Sequence, residues 1–543
     1  MSAIANCLIS AGTAAVLLHR CARWGVMSGL AIFASFSHAV TFEVTTAEEF
    51  QAALATAARN GGDDEIRLAE GVYKGNFKFV PEESFALTIT GTVPGRTILD
   101  GGDKAYVFFL SAKNFAPKLN LNGLNIRSRS SVEGALLRIT SNYGSASGWQ
   151  EGVVPAVTIS DADLIGDENA DALFAPGVFV RSADVVLERV NYFGASINCE
   201  GCSLSIQKSE ITIPKGNIKV GSGYVIESEV EALEIELNNS NGGREDYKRY
   251  AIQRSSFDSS EIRIYASDFE FSDSLFRIAR IDVRGGDGEM LFVRNVVKQS
   301  GITSSANAGI SFRIPNTRIS IINNLFSGEY GSPFFDDFKE LEMLSNTFGS
   351  AAGIRPSDSG ATQLVANNIF AATPRNSQGL GVTGFAEVAT LKNNILPETS
   401  MSVWDVESGN IIGNPGFYDE SNGDFHLLST SPAINAGTNE FVDPSQQLDL
   451  DGSPRVVEGV IDIGAYERYL TDLHPADTNG DSSISSDEFN AYNTAWRAND
   501  IWPTAPAVIT ADFVTRAGYL LQKGGDYKNI GVGKPQTGVP VNE

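Results

Sequence analysis

The stretch of this 543-residue chain with the most specific chemistry runs Asp477-Thr478-Asn479-Gly480-Asp481-Ser482-Ser483-Ile484-Ser485-Ser486-Asp487-Glu488. Oxygen-bearing residues fall at loop positions 1, 3, 5, 7, 9 and 12, the spacing with which a tight loop wraps one hard cation such as calcium. Asp477, Asn479 and Asp481 would bind through their side chains and Ser483 through its carbonyl. Ser485 would act through water, Glu488 would close the site with two oxygens, and Ile484 would pack inward. Ser482 stands where such loops prefer glycine, because that turn needs positive φ. The competing reading is a solvated acidic turn between domains.

A second candidate is basic. Arg263 and Tyr265 alternate with Ile262 and Ile264, and Arg280, Asp282 and Arg284 alternate with Ile281 and Val283 one repeat later. Period two puts each set on one strand face, and coils stacked about 4.8 Å apart would merge the arginines into a strip. Arg294, Arg313 and Arg318 could extend it, and Lys208, Lys215 and Lys219 form a weaker basic stretch. Such a strip can neutralise sugar carboxylates and assist proton abstraction beside them. It can equally be a ladder of solvated ion pairs. No ordered lyase signature and no paired-carboxylate hydrolase site accompanies it. Cys199 and Cys202, in Cys-Glu-Gly-Cys, stand far in sequence from His426 and His474. A zinc site needs about four ligands, so a local disulfide or two packed thiols is expected, with redox chemistry second.

The elements that must position these residues show as a repeat. A small polar residue, a spacer and an apolar residue recur at Ser255, Ser274, Asn295, Asn324, Asn346, Asn368 and Asn394, spaced 19, 21, 29, 22, 22 and 26 residues apart. Weaker copies fall at Ser228, Ser209, Asn191, Asp161, Gly123 and Gly91. Strands that short cannot bury a core alone, and stacking covers their apolar faces. A polar side chain at the same corner of every coil can hydrogen-bond the turns above and below. The fold class is an all-β solenoid, and at this point the chain resembles right-handed parallel β-helix proteins of the pectate-lyase-like class. The handedness, and the idea of an Arg or Lys base aided by a cation, come from that resemblance. Thr45 and Glu48, spaced as a capping box, open an amphipathic helix from Phe50 to Ala57, which looks like the N-terminal cap of such proteins.

Residues 1–39 read as a secretory signal, with basic His19, Arg20 and Arg23, an apolar stretch from Trp24 to Phe36 and a Ser37-His38-Ala39 cleavage site. A membrane anchor is the runner-up, although this run and an earlier one from Ala3 to Leu18 are both short for a span. The chain is therefore expected to be exported, without a membrane span in its mature form. Its net charge is −25, and loss of the leader makes it more acidic. That argues against nucleic acid or an anionic membrane as partner.

From Gly413 the text changes. Asn414-Pro415-Gly416-Phe417, Gly423-Asp424-Phe425-His426-Leu427, Ser431-Pro432-Ala433-Ile434-Asn435-Ala436-Gly437, Asp449-Leu450-Asp451-Gly452 and Ile461-Asp462-Ile463-Gly464-Ala465-Tyr466-Glu467 follow in order. This block resembles the choice-of-anchor Q domain, which implies a closure ahead of an attachment module. Asp449, Asp451, Arg455, Asp462 and Glu467 read as an ion-paired closure, or else as a carboxylate cluster. The cation loop followed by two helices, Asp487 to about Ala498 and Thr510 to Gln522, resembles a dockerin-type EF-hand module. Phe489, Tyr492, Ala495 and Trp496 would share one face of the first helix. No second ladder of oxygens precedes the second helix. That implies one calcium rather than two and argues against a cohesin-like partner, in favour of a calcium-stabilised surface anchor.

The expected organisation is a signal (1–39), a parallel β-helix with its N-terminal cap (40–412), a closure (413–468), a small helical calcium-binding module (469–530) and a loose tail (531–543). The expected function is extracellular contact with polysaccharide, in two forms. One is β-elimination on a uronate polymer by Arg263, Arg280 and Arg284. The other is non-catalytic binding or structural support at a cell surface or matrix.

Overall fold

A computed structural model describes residues 39–543 apart from 142–153, 167–176, 239–248, 300–308, 372–389, 398–407, 529–538 and a number of shorter stretches. Nearly all of the expected signal, residues 1–39, and most of residues 531–543 lie outside the described residues. Helix α1 (Ala47–Ala57) is capped one residue later than the sequence suggests. The Thr46 side chain accepts from Glu49 N while the Glu49 carboxylate accepts from Thr46 N. That start turns Phe50, Ala53, Leu54 and Ala57 onto the first coil, where all are buried.

From Thr41 to Ile412 every strand pairing among the described residues is parallel and joins one coil to the next. The chain therefore winds as a parallel β-helix with three walls. Inward residues alternate with outward ones: along Asp184–Phe193, Val185, Leu187, Val190 and Tyr192 are buried. Phenylalanines stack through the bore, with ring centroids 5.0 Å apart for Phe326 and Phe348 and 5.1 Å for Phe348 and Phe370.

One corner sets the register. Lys208, Glu227, Arg254, Asp273, Arg294, Asn323, Ser345, Asn367 and Asn393 all take left-handed φ between 48° and 60°. Each turns the chain so that the next residue points into the wall. Those next residues are Ser209, Ser228, Ser255, Ser274, Asn295, Asn324, Asn346, Asn368 and Asn394, and each accepts a bond from the backbone N–H of its counterpart one coil earlier. The chain of bonds ends at Asn410, which accepts from Asn394 N at 3.0 Å. Each central asparagine also donates to a wall carbonyl, as Asn346 does to Ile321 O at 2.7 Å. Further toward the N-terminus the corner persists at Gly123, Asp161 and Arg189. There the following residues are Leu124, Ala162 and Val190, so the polar ladder begins at Ser209, and Asn191 lies one position past the ladder residue Val190.

The wall that follows the corner by one strand carries the candidate site. Its described strands up to Arg313 are β1 (Phe77–Phe79), β2 (Tyr106–Ala112), β3 (Ala135–Ser141), β4 (Val178–Arg181), β5 (Ile197–Glu200), β6 (Glu210–Val220), β7 (Glu229–Asn238), β8 (Ser256–Tyr265), β9 (Leu275–Arg284) and β10 (Gly309–Arg313), and Phe334–Asp336 and Arg355–Pro356 continue it. From β6 to β9 one long strand runs across both the wall after the corner and this one. Cys199, on β5, is bonded to Cys202 in the turn that follows.

Residues 413–468 do more than finish the helix. They fold back along the corner of the last coils, where the left-handed residues are asparagines. Asn323 donates to Leu448 O at 2.9 Å, Asn367 to Thr438 O at 3.0 Å and Asn393 to Ala436 O at 2.9 Å. Leu325, Ile369 and Ile395 pack outward against Phe417, Phe425, Ala433, Ile463 and Ala465. Beneath lies a buried polar lattice. Arg455 Nη1 is 3.4 Å from Glu467 Oε1, Asp462 accepts from Asn435 N and Arg468 N at 2.7 Å each, and Asp449 accepts from Glu467 N at 3.0 Å. Nearer the surface, His426 is held between Asp424 at 2.5 Å and Asp451 at 2.8 Å.

Helices α2 (Ser486–Ala498) and α3 (Ala511–Gln522) enclose a separate small core of Ile484, Tyr492, Phe513, Ala517, Leu520 and Tyr527. Trp496 is 37% exposed rather than part of that core, because the helix turns its Tyr492 edge toward α3. No helix among the described residues is long and apolar enough to cross a membrane.

Replacing Asn346 by Ala leaves Asn324 N and the Ile321 carbonyl without partners, each costing about 1–3 kcal/mol. The expected loss of roughly 2–5 kcal/mol is measured by denaturant unfolding, with hydrogen exchange rising first in the adjoining coils. A second test concerns the clasp. Imidazole burial works against the charge, but Asp424 and Asp451 outweigh it and raise the His426 pKa from 6.5 to about 10. A raised histidine stabilises the fold fully below pH 6.5 and loses that contribution as pH rises toward 10. Thermal melts should fall across that window in the parent chain and flatten in His426→Gln.

Candidate functional site

Strands β6 to β9 bring the sequence-identified arginines onto one outward face. Register places Glu236 between Lys219 and Arg263, and Asp282 beside Arg263. A parallel row runs Glu234, Glu261, Arg280, and a third pairs Tyr265 with Arg284. Arg263 reaches Glu234 at 2.6 Å and Glu261 at 2.7 Å. Arg280 contacts Glu261 at 3.2 Å and Asp282 at 3.1 Å, and Arg284 contacts Asp282 at 2.9 Å. The three guanidinium side chains are 31–47% exposed, whereas Asp282 is 3% exposed beneath them. This is a chequerboard of charge, in which carboxylates match cations, rather than a uniformly basic strip.

That pattern governs proton chemistry. The hydrogen bonds that Arg263 donates to Glu261 and Arg284 donates to Asp282 push both guanidiniums above their already high ordinary pKa. A group held so firmly protonated orients and neutralises an anion well, and abstracts a proton poorly. Of the expected extensions, Arg294 and Arg318 fall elsewhere and Arg313 does not. Arg294 is a left-handed corner residue paired with Asp273 at 2.6 Å, and Arg318 lies on the opposite side of the corner, 2.5 Å from Glu340. Arg313 aligns with Arg284 through the backbone register of β9 and β10. Lys208 sits at the corner beside Glu227, and Lys219 pairs with Glu236 at 2.9 Å.

Sequence reasoning missed the carboxylates Glu234, Glu236 and Glu261. The signal was present, since they obey the same period-two alternation as the arginines. It also treated the residue after each ladder asparagine as a spacer. Leu325, Ile369 and Ile395, at that position, pack against residues 413–468, and Thr347 there accepts from Ala465 N at 2.9 Å.

The acidic loop is tightly tied. Asp477 accepts from Gly480 N at 2.8 Å, Ser482 N at 2.9 Å and the Tyr527 hydroxyl at 2.7 Å. Asp481 accepts from Ser483 N at 2.9 Å, and Asn479 accepts from Asp481 N at 3.0 Å. Glu488 forms a capping box with Ser485 and accepts from Thr478 N at 3.0 Å. Burial raises the Asp477 carboxyl. For Glu488 burial acts the same way, but bonds from Ser485, Thr478 and Asn479 outweigh it and lower the pKa. The donors are all oxygen and include three carboxylates, which fits a hard divalent ion by type and order. Among the described residues no three His, Cys, Asp or Glu side chains already converge at metal-ligand range. Ser482 has φ 62°, the left-handed turn that the missing glycine would adopt without strain. Arg468 grips the loop from outside, donating to Gly480 O at 3.1 Å and Ser482 Oγ at 3.3 Å.

No family model matches the sequence, and no curated protein matches it. Among solved structures, the chain is similar to a mannuronic acid-specific polysaccharide family 6 lyase from human gut microbiota, with TM-score 0.36 and 10% identity over 70% of this chain and 93% of that one. It is similar to a pectate lyase with TM-score 0.28 and 12% identity, covering 80% of this chain and 98% of that one. A family 6 alginate lyase gives TM-score 0.33 and 14% identity, covering 79% of this chain and 59% of that one.

Ser482→Gly removes a left-handed non-glycine residue, which costs roughly 1–2 kcal/mol, and forfeits one contact to Arg468. A net gain of about 0.5–1 kcal/mol in the unfolding of the helical module is expected, read by denaturant titration. A loss of stability would show that the Arg468 contact outweighs the backbone strain.

Proposed function

We propose that this chain is an exported β-helix protein that holds an acidic extracellular polysaccharide on the wall formed by β6 to β9. The observation that carries this reading is the convergence of Arg263, Arg280 and Arg284, each part-exposed, around nearly buried Asp282. The carboxylates keep the guanidiniums upright and charged. A uronate carboxylate could then exchange into a fork already set for bidentate contact. The raised guanidinium pKa values favour binding over proton abstraction as the arginines' task.

A second reading, β-elimination, has one observation in its favour. Tyr265 aligns with Arg284 and adjoins Arg263 on its own strand, which sets a phenol beside two cations. In that reaction a base removes the proton next to the sugar carboxylate. The electron pair forms the new double bond, and the glycosidic oxygen leaves with a proton. The arginines would neutralise the carboxylate.

The C-terminal half of the proposal is attachment. Residues 413–468 would act as a choice-of-anchor Q closure, and residues 469–530 as a dockerin-like EF-hand anchor. One calcium would sit among Asp477, Asn479, Asp481, Ser483, Ser485 and Glu488, where it would supply charge to order the loop. A surface-anchoring partner fits this single-loop arrangement better than a cohesin. Residues 1–39 would direct export.

The chain from Val40 onward, incubated with polygalacturonate and alginate, tests both readings at once. Retention of polymer without ultraviolet-absorbing ends, weakened about tenfold by Arg263→Ala or Arg284→Ala, is the expected result. Absorbance that rises with time and vanishes in Tyr265→Phe would replace binding with β-elimination. Chelator should lower the melting temperature of the parent chain and leave that of Asp477→Ala unchanged.

A further inference from the structure

Toward the N-terminus the same wall carries a row of different chemistry. Register aligns Lys78 with Phe109, Phe109 with Arg138, Arg138 with Phe179, Phe179 with Asn198 and Asn198 with Lys219. These residues point outward, alternating with buried Phe77 and Phe79, Phe108 and Leu110, Leu137 and Ile139, and Val178 and Val180. The Lys78 ammonium lies 5.6 Å from the centre of the Phe109 ring, and the Arg138 guanidinium 5.2 Å from that of Phe179. Arg181 flanks the same Phe179 ring at 5.4 Å and is paired with Glu200 at 2.5 Å. Tyr106 sits beside Phe109, with ring centroids 5.3 Å apart.

Two features separate this row from the Arg263 face. Lys78 and Arg138 are exposed and contact rings, not carboxylates, among the described residues. In a chain with 66 acidic and 41 basic residues, an aligned pair of cations that have no acidic partner among the described residues stands out from the surrounding ion pairs. The rings also limit the rotamer freedom of two long side chains, so less entropy is lost when they meet an anion.

We propose that Lys78, Phe109, Arg138 and Phe179 form a linear subsite for an extended acidic polysaccharide lying along the helix axis. Lys78 and Arg138 are two rungs apart, roughly 10 Å. A uronate chain whose carboxylates alternate between its two sides presents one to each cation at every second sugar. Phe109, between them, meets the apolar face of the intervening ring. Asn198 and Lys219 continue the row to Glu236 and Arg263, so the subsite opens directly onto the face described above. The inference rests on the polysaccharide reading of that face.

The test uses the full exported chain with polygalacturonate and alginate as probes, dextran as the neutral control and single-stranded DNA as competitor, over a series of salt concentrations. Lys78→Gln and Arg138→Gln should each weaken polyuronate binding about tenfold and reduce its salt dependence, with unchanged melting temperature because both side chains are exposed. Phe109→Ala should weaken binding without altering the salt dependence. If the double glutamine variant binds as the parent does while Arg263→Ala does not, the subsite is wrong and the Arg263 face stands. If the folded parent chain binds neither polyuronate, both fall. Equal competition by single-stranded DNA would also overturn the polysaccharide assignment.

Discussion

The ladder of hydrogen bonds from Ser209 to Asn410 is the constraint on which the rest depends. In a stack of coils each unit contacts only its neighbours, so an error of one residue in one coil would rotate every following side chain to the wrong face. The ladder prevents this with two coupled devices. A left-handed residue turns the chain, and the next residue, inside the wall, accepts the N–H of its counterpart one coil back. Because that bond is buried, a slipped coil leaves polar groups unpaired at a cost of about 1–3 kcal/mol each. The serine hydroxyls donate most closely to the carbonyl two residues before them, and the longer asparagine amides reach a wall carbonyl one coil back at 2.7–2.8 Å.

The same corner decides what covers the helix outside. Where its left-handed residues are charged, as at Glu227, Arg254, Asp273 and Arg294, they pair with one another and remain part-exposed. Where they are Asn323, Asn367 and Asn393, their amides bind the backbone of residues 413–468. One position in the repeat thus serves as an ion ladder in one half and as a docking strip in the other. The apolar neighbours Leu325, Ile369 and Ile395 change in step, and their burial supplies the non-directional part of the attachment.

Much of this architecture was legible. The spacing of Ser255 through Asn394 matched the coil lengths residue for residue, because a buried hydrogen-bonding corner tolerates few residue types. The N-terminal copies were displaced because Leu124, Ala162 and Val190 fill the ladder position, leaving only the corner itself to read. The capping box moved by one residue, since Thr45 and Thr46 offer equivalent hydroxyls and only the packing of Phe50 chooses between them. The arginines do share one outward face, and of the two readings of that face the ladder of ion pairs is the one the charges match. Asp282 and Glu261 pair with arginines two residues away on their own strands, a relation the alternation displays, whereas Glu234 to Arg263 and Glu261 to Arg280 join neighbouring coils, which no single strand displays. The row from Lys78 to Phe179 was hidden for the same reason, its members being 31, 29 and 41 residues apart.

The fold-back of residues 413–468 has a mechanical meaning. The helical module meets this segment through Arg468, which reaches Leu427 O at 2.8 Å as well as the loop, and through Tyr418, whose hydroxyl donates to Tyr527 O at 3.0 Å. A pull on that module is passed into a segment lying across several coils. Its bonds to Asn323, Asn367 and Asn393 are then loaded together, in shear, instead of opening one after another as when the last coil is peeled away. A force applied only at the end of the stack would unzip it coil by coil, whereas one applied through residues 413–468 is spread sideways before any coil can open.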